Sequence, residues 1–164
     1  MVQADERGMI YCGANDLYRV NPDTGESELL AAGVIPNDGI WGGGVASKLI
    51  VMGSSTPDNM LVLYDRRAEK VVRVIQPLHP RSFYTYSAME APDGRVLVMS
   101  SLPMAAATLV NQESLEIEQY EPAALAGVTD WHAGRFPAPG VFFAVSGNRA
   151  FLFEYPRFGL IAEI

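Results

Sequence analysis

The chain has 164 residues, 49% of them hydrophobic and 19% charged, with a formal net charge of -7 and a sequence pI of about 4.7. That composition supports one globular domain with a buried core and excludes a disordered chain. The acidic balance, with Arg66 and Arg67 as the only adjacent basic pair, argues against nucleic acid and anionic membranes as partners.

The single cysteine, Cys12, allows no intrachain disulfide and reads as a small core side chain. The opening run Met1–Arg7 has no apolar h-region, so it does not read as a signal peptide. No apolar run approaches the ~20 residues of a helical membrane span, and the chain reads as soluble. Eleven prolines and fifteen glycines are scattered along it, as suits many short strands joined by turns.

In chain order the predicted strands fall into four groups. The first holds Met9–Cys12 and Leu17–Val20, closed by Asn21 and the turn Pro22-Asp23-Thr24-Gly25. The second holds Ile40–Ala46, Leu49–Met52 and Leu61–Tyr64, closed by Asp65. The third holds Phe83–Glu90, the tight turn Pro92-Asp93-Gly94, then Val96–Met99 and Thr108–Val110, closed by Asn111. The fourth holds Val128–Arg135, Val141–Val145 and Phe151–Phe153, closed by Glu154. An outer strand follows each closing residue; Leu115–Tyr120, with alternating apolar and charged side chains, has one face in solvent. Ala105–Ala107 is the nearest approach to a helix, too short and beside Pro103.

The closing residues Asn21, Asp65, Asn111 and Glu154 stand 44, 46 and 43 residues apart. A period of ~40–50 residues built of short strands is the mark of a β-propeller. The strands before each closing residue are apolar without alternation, as expected of strands covered on both faces. Val2–Gly8 aligns with Met89–Gly94, which starts the chain inside an inner strand. The expected fold is therefore all-β: one domain of about four four-stranded antiparallel propeller blades, over approximate residues 1–34, 35–78, 79–124 and 125–164. The first blade lacks most of its inner strand, and the set forms an open half-ring or a fragment of a larger propeller. Such an arc leaves two blade faces uncovered, which two copies could bury as a homodimer closing an eight-bladed ring.

The run Leu17-Tyr18-Arg19-Val20-Asn21-Pro22-Asp23-Thr24-Gly25-Glu26 resembles the hairpin between third and fourth strands in YVTN-type, quinoprotein-type and gluconolactonase-like propellers, and Leu63-Tyr64-Asp65 is a second copy. The resemblance is one of architecture over nearly the whole chain and implies no single function. No Trp-Asp dipeptide closes a blade, Gly42-Gly43-Gly44 occurs once, and no Tyr-Val-Thr-Asn run is present, so WD40 and kelch patterns do not fit. The three glycines read as a close approach of backbones near the channel.

In a propeller, ligands meet the loops that enter the inner strands, here residues 31–40, 76–84 and 121–131. The ligand-binding candidates there are Asn37, Asp38, Arg81, Tyr84 and Trp131. Trp41, Tyr84 and Tyr86 could stack a sugar ring or fill gaps between blades. His79 reads as an exposed loop residue. The sharpest cluster is Asp130-Trp131-His132. With Glu90, and Asn37 or Asp38, Asp130 and His132 could hold a divalent Ca or Mg ion, in outline like gluconolactonase-like enzymes. The opposing reading is a hydrogen-bonded Asp beside a Trp packed at a blade junction. Glu113, Glu116, Glu118 and Glu121 read as a solvated outer face.

No Gly-x-Ser-x-Gly elbow, phosphate loop or zinc-finger spacing is present. Two functions remain open. One is a binding or scaffold propeller for a small molecule, a glycan or a protein. The alternative is a metal-assisted hydrolase or lyase acting on a sugar acid or lactone.

Overall fold

Four groups of four strands account for almost all the regular structure of the computed structural model, which describes residues 1–37, 39–131 and 133–164. The first group is β1 (Val2–Ala4), β2 (Ile10–Cys12), β3 (Leu17–Val20) and β4 (Ser27–Ala31). The second is β5 (Gly42–Val45), β6 (Leu49–Gly53), β7 (Leu61–Asp65) and β8 (Lys70–Ile75). The third is β9 (Tyr84–Glu90), β10 (Val96–Ser101), β11 (Ala106–Val110) and β12 (Ile117–Tyr120). The fourth is β13 (Ala133–Ala138), β14 (Val141–Ser146), β15 (Arg149–Glu154) and β16 (Gly159–Glu163). Within each group the strands pair antiparallel in chain order. The fold is all-β and blade-like. Among the described residues the only helical turn is a single 3-10 turn, Ala123–Leu125, and no helix is long and apolar enough to cross a membrane.

Neighbouring blades stack face to face, so the core is divided into three slabs. Tyr11 and Leu17 of the first blade meet Ile50, Met52 and Val62 of the second. Leu49, Val51 and Leu63 of the second meet Val96, Val98 and Val110 of the third. Leu97, Met99 and Leu109 of the third meet Phe142, Phe151 and Phe153 of the fourth. Alternate residues of β6 and β10 thus point to opposite neighbours, and every residue of both strands is buried.

The inner strands of the two central blades approach most closely, through a parallel bridge between Gly43 and Ser87. A Cβ on Gly42 would lie 2.2 Å from the carbonyl oxygen of Thr85, and one on Gly44 2.0 Å from that of Ala88. Only glycine fits there, which is why three occur together.

The closing residues build one recurring turn. Oδ1 of Asn21 accepts from the backbone N–H of Asp23 and Thr24, that of Asp65 from Arg67 and Ala68, and that of Asn111 from Glu113 and Ser114. Four residues after each closing position the backbone turns left-handed, at Gly25 (φ 73°), Glu69 (φ 50°), Leu115 (φ 62°) and Phe158 (φ 55°).

The residue directly after the closing position latches adjacent blades. Arg66 donates to Asp5 in the first blade's inner turn, at 2.6 Å. Gln112 accepts from the N–H groups of Lys48 and Leu49 in the second, at 3.0 and 3.2 Å. Tyr155 donates to Asp93 in the third, at 2.8 Å. In the first blade this position is Pro22, which is exposed.

One strand expectation needs correction. The inner strand of the fourth blade begins at Ala133 rather than Val128. The backbone of Val128 and Thr129 instead bonds to the third blade, accepting from Ala105 and Leu102 at 3.0 and 2.7 Å. The alanine run is strand, because Ala106 and Ala107 pair with Ser100 and Met99.

Candidate functional site

Polar side chains are buried unevenly. Ser54, Ser55, Asp58, Asn59, His79, Ser82, Thr85, Ser100 and Ser101 are all buried, and all lie at one end of the two central blades, where loops enter the inner strands. Burying that many polar groups requires a dense set of partners. Asn37 presents both its N–H groups to Asp58, the backbone at 3.1 Å and Nδ2 at 2.8 Å. Nδ2 of Asn59 donates to the carbonyl of His79 at 3.1 Å, and Asn59's own carbonyl accepts from the N–H of Leu78 at 2.8 Å. Oγ of Ser82 donates to the carbonyl of Met104 at 2.8 Å.

His79 is buried, not the exposed loop residue that its position between Leu78 and Pro80 suggested. The bonds through Leu78 and Asn59 fold its loop inward. Its Nδ1 accepts from the N–H of Arg81 at 3.1 Å, so in the neutral ring the proton resides on Nε2, 3.3 Å from Oε1 of Glu121. Burial, the largest influence, pushes the His79 pKa below its ordinary value; Glu121 works against that and Arg81 with it. The other oxygen of Glu121 meets the guanidinium of Arg81. Glu121 is exposed, as the solvated series expected, and its carboxylate also reaches the buried His79.

Two aromatic rings mark the rim of this end. Trp41 is 56% exposed and stands edge-on to Tyr84, with ring centroids 5.6 Å apart. Among the described residues it is the only large aromatic on the exposed surface.

The other candidates fall elsewhere. Trp131 is completely buried, so it is corrected from ligand contact to core. Its Nε1 donates to the carbonyl of Ser100 at 3.0 Å, and its ring meets Phe142 and Phe153 edge-on. Asp130 accepts from Oγ of Ser146 at 3.3 Å. Glu90 lies at the far end of β9 from Tyr84, about 20 Å away at about 3.3 Å per residue. There its oxygens accept from the N–H and hydroxyl of Ser47, at 2.7 and 2.8 Å. It is thereby removed from the entry end and from any shared site with Asp130. Among the described residues no three His, Cys, Asp or Glu side chains converge to hold a metal ion. Asp38 and His132 lie outside the described residues.

A cleft of about 570 Å³ opens at the opposite end, between the first two blades. Several of its charges are engaged with each other, Arg66 with Asp5 and Glu6 and Arg19 with Glu28, while Arg7 and Arg67 also line it. A second open space, about 510 Å³, lies along the inner strands β1, β9 and β13, past Gln3, Ser87, Glu90 and Arg135. Cleft volume and buried polarity thus select opposite ends. The entry end is the stronger candidate, because there an exposed aromatic stands above a built polar network.

Asp58, Asn59 and Glu121 escaped the sequence reading. The turn signal Thr56-Pro57-Asp58 marked the first two only as a loop. No family model matches the chain, and no curated protein matches it closely enough to count as a relative.

Proposed function

We propose that this chain is a binding module of β-propeller type whose entry end holds a small glycan or a similar ring-shaped polar molecule, without catalysis. The propeller superfamily suggested by the Asn21 hairpin belongs to the same proposal. The observation that carries the reading is the exposed Trp41 set edge-on to Tyr84 at the rim of the central blades. An exposed indole offers a flat apolar face against the C–H face of a sugar, and Tyr84 fixes its edge. The Asn37–Asp58 pair and Arg81 on the same loops supply donors and acceptors that orient hydroxyl groups.

The two tryptophans make the test direct, since one is exposed and the other completely buried. Titration of an oligosaccharide panel should change the emission of Trp41 and leave that of Trp131. Trp41→Ala should weaken binding at least tenfold, or by about 1.4 kcal/mol, while leaving the far-UV circular dichroism unchanged. Binding that survives Trp41→Ala intact, or a panel with no binder, would sink the reading.

A further inference from the structure

The central blades and the end blades differ in one respect that their sequences do not. All residues of β6 and β10 are buried. β14, equally apolar from Val141 to Val145, is buried only at alternate residues. Phe142 and Ala144 face the third blade; Val141, Phe143 and Val145 face outward, opposite Glu154, Leu152 and Ala150 respectively. The first blade mirrors this. Tyr11 and Leu17 face the second blade, whereas Ile10, Cys12, Tyr18 and Val20 face outward and continue to Leu29, which is 51% exposed. A strand with one face in water alternates apolar with polar side chains; these do not, so their pattern is that of strands covered on both faces. The first and fourth blades share no strand pairing and no core cluster, so the chain does not cover these faces by itself.

We infer that a second copy of this chain covers them, with the outward face of the first blade on the outward face of the fourth, in two equivalent joints that close a ring. The two faces are the leading and trailing halves of the contact that is already made three times inside the chain. Four strands about 4.8 Å apart and about four residues long span about 250 Å². Two joints bury four such faces, on the order of 1,000 Å² in all, the lower bound for a specific interface. No polar latch crosses the joint. Pro22 occupies the latch position of the first blade, and the inner turn of the fourth is Ala138-Pro139-Gly140. The assembly therefore rests on apolar contact and dissociates on dilution.

The joint pairs two different faces, which sets a strict test by light scattering after size exclusion. The wild-type chain should run at twice its 17.8 kDa mass at the highest soluble concentration and shift toward that mass on dilution. Leu29→Glu spoils one face and Leu152→Glu the other, so each variant alone should be monomeric with unchanged far-UV circular dichroism. Mixed in equal amounts they restore only one of the two joints and set the two spoiled faces against each other in the second, so the mixture should dimerise more weakly than the wild-type chain. A dimer also covers Cys12, so its labelling by a thiol reagent should slow as concentration rises. A wild-type chain that stays monomeric throughout overturns the inference. So does a Leu152→Glu dimer, which would mean like faces joining, and so does open-ended growth to high mass.

Discussion

Arg66 and Asp5 form the ion pair that joins the first and second blades, at 2.6 Å, with the Asp5 side chain 2% exposed and that of Arg66 11%. Tyr11 donates to the same carboxylate at 3.3 Å and lies under the guanidinium, whose centre is 5.7 Å from the ring. Removing one partner of such a pair leaves the other buried and uncompensated. Arg66→Ala should cost about 3 kcal/mol in urea unfolding, and the double variant with Asp5→Ala should cost less than the two single losses together. Strict additivity would show that the two residues do not act as a pair.

The inner strands of the central blades should tolerate no side chain at Gly44. Its Cβ would strike the backbone of Ala88, which cannot turn aside as a side chain can. Gly44→Ala should lower stability by about 3 kcal/mol. Gly159→Ala is the control, since its nearest neighbour would be the end of the Glu154 side chain at 3.5 Å. Equal unfolding midpoints for the two would contradict the close approach.

Glu69 holds the left-handed position of its turn at φ 50°, where Gly25 stands in the first blade. A residue with a Cβ pays about 1 kcal/mol there. Its partner Arg19 is 3.5 Å away across an exposed ion pair worth a few tenths of that. Glu69→Gly should therefore gain about 0.5 kcal/mol and raise Tm by about 1–2 °C. A fall in Tm would show that the ion pair outweighs the backbone.

The buried His79 makes stability depend on pH. Its folded pKa lies below the ordinary 6.5 because burial disfavours the charged ring. Between the two values the unfolded chain binds more protons than the folded one, so stability rises with pH there. The contribution is complete above about 6.5 and is lost as pH falls toward the lower folded value. Denaturant titrations at mildly acidic and neutral pH should show a smaller difference for His79→Gln than for the wild-type chain. Identical differences would assign the dependence to other groups.

How far the site could be read from the sequence depended on the range of the contacts involved. Trp41 and Tyr84 were visible as aromatics on entry loops, and their meeting at the rim follows from strand order. The burial of His79 was not visible, because Leu78 bonds to Asn59, nineteen positions earlier, and His79 faces Glu121, forty-two positions later. Nothing local to His79 marks either partner. For Trp131 the sequence left two readings, ligand contact and a ring packed at a blade junction; the second holds, and its indole partner, Ser100, lies thirty-one residues away.

By itself, the sequence determined the repeat. Asn21, Asp65 and Asn111 each organise their turn through bonds two and three residues ahead, so the period and the blade-like hairpins are written in local chemistry. Only the tertiary structure decided which faces of those hairpins are covered. Val141–Val145 and Val96–Met99 are equally apolar, yet the first is buried at alternate residues and the second throughout. Burial depends on whether a neighbouring blade is present, and no strand carries that information in its own residues.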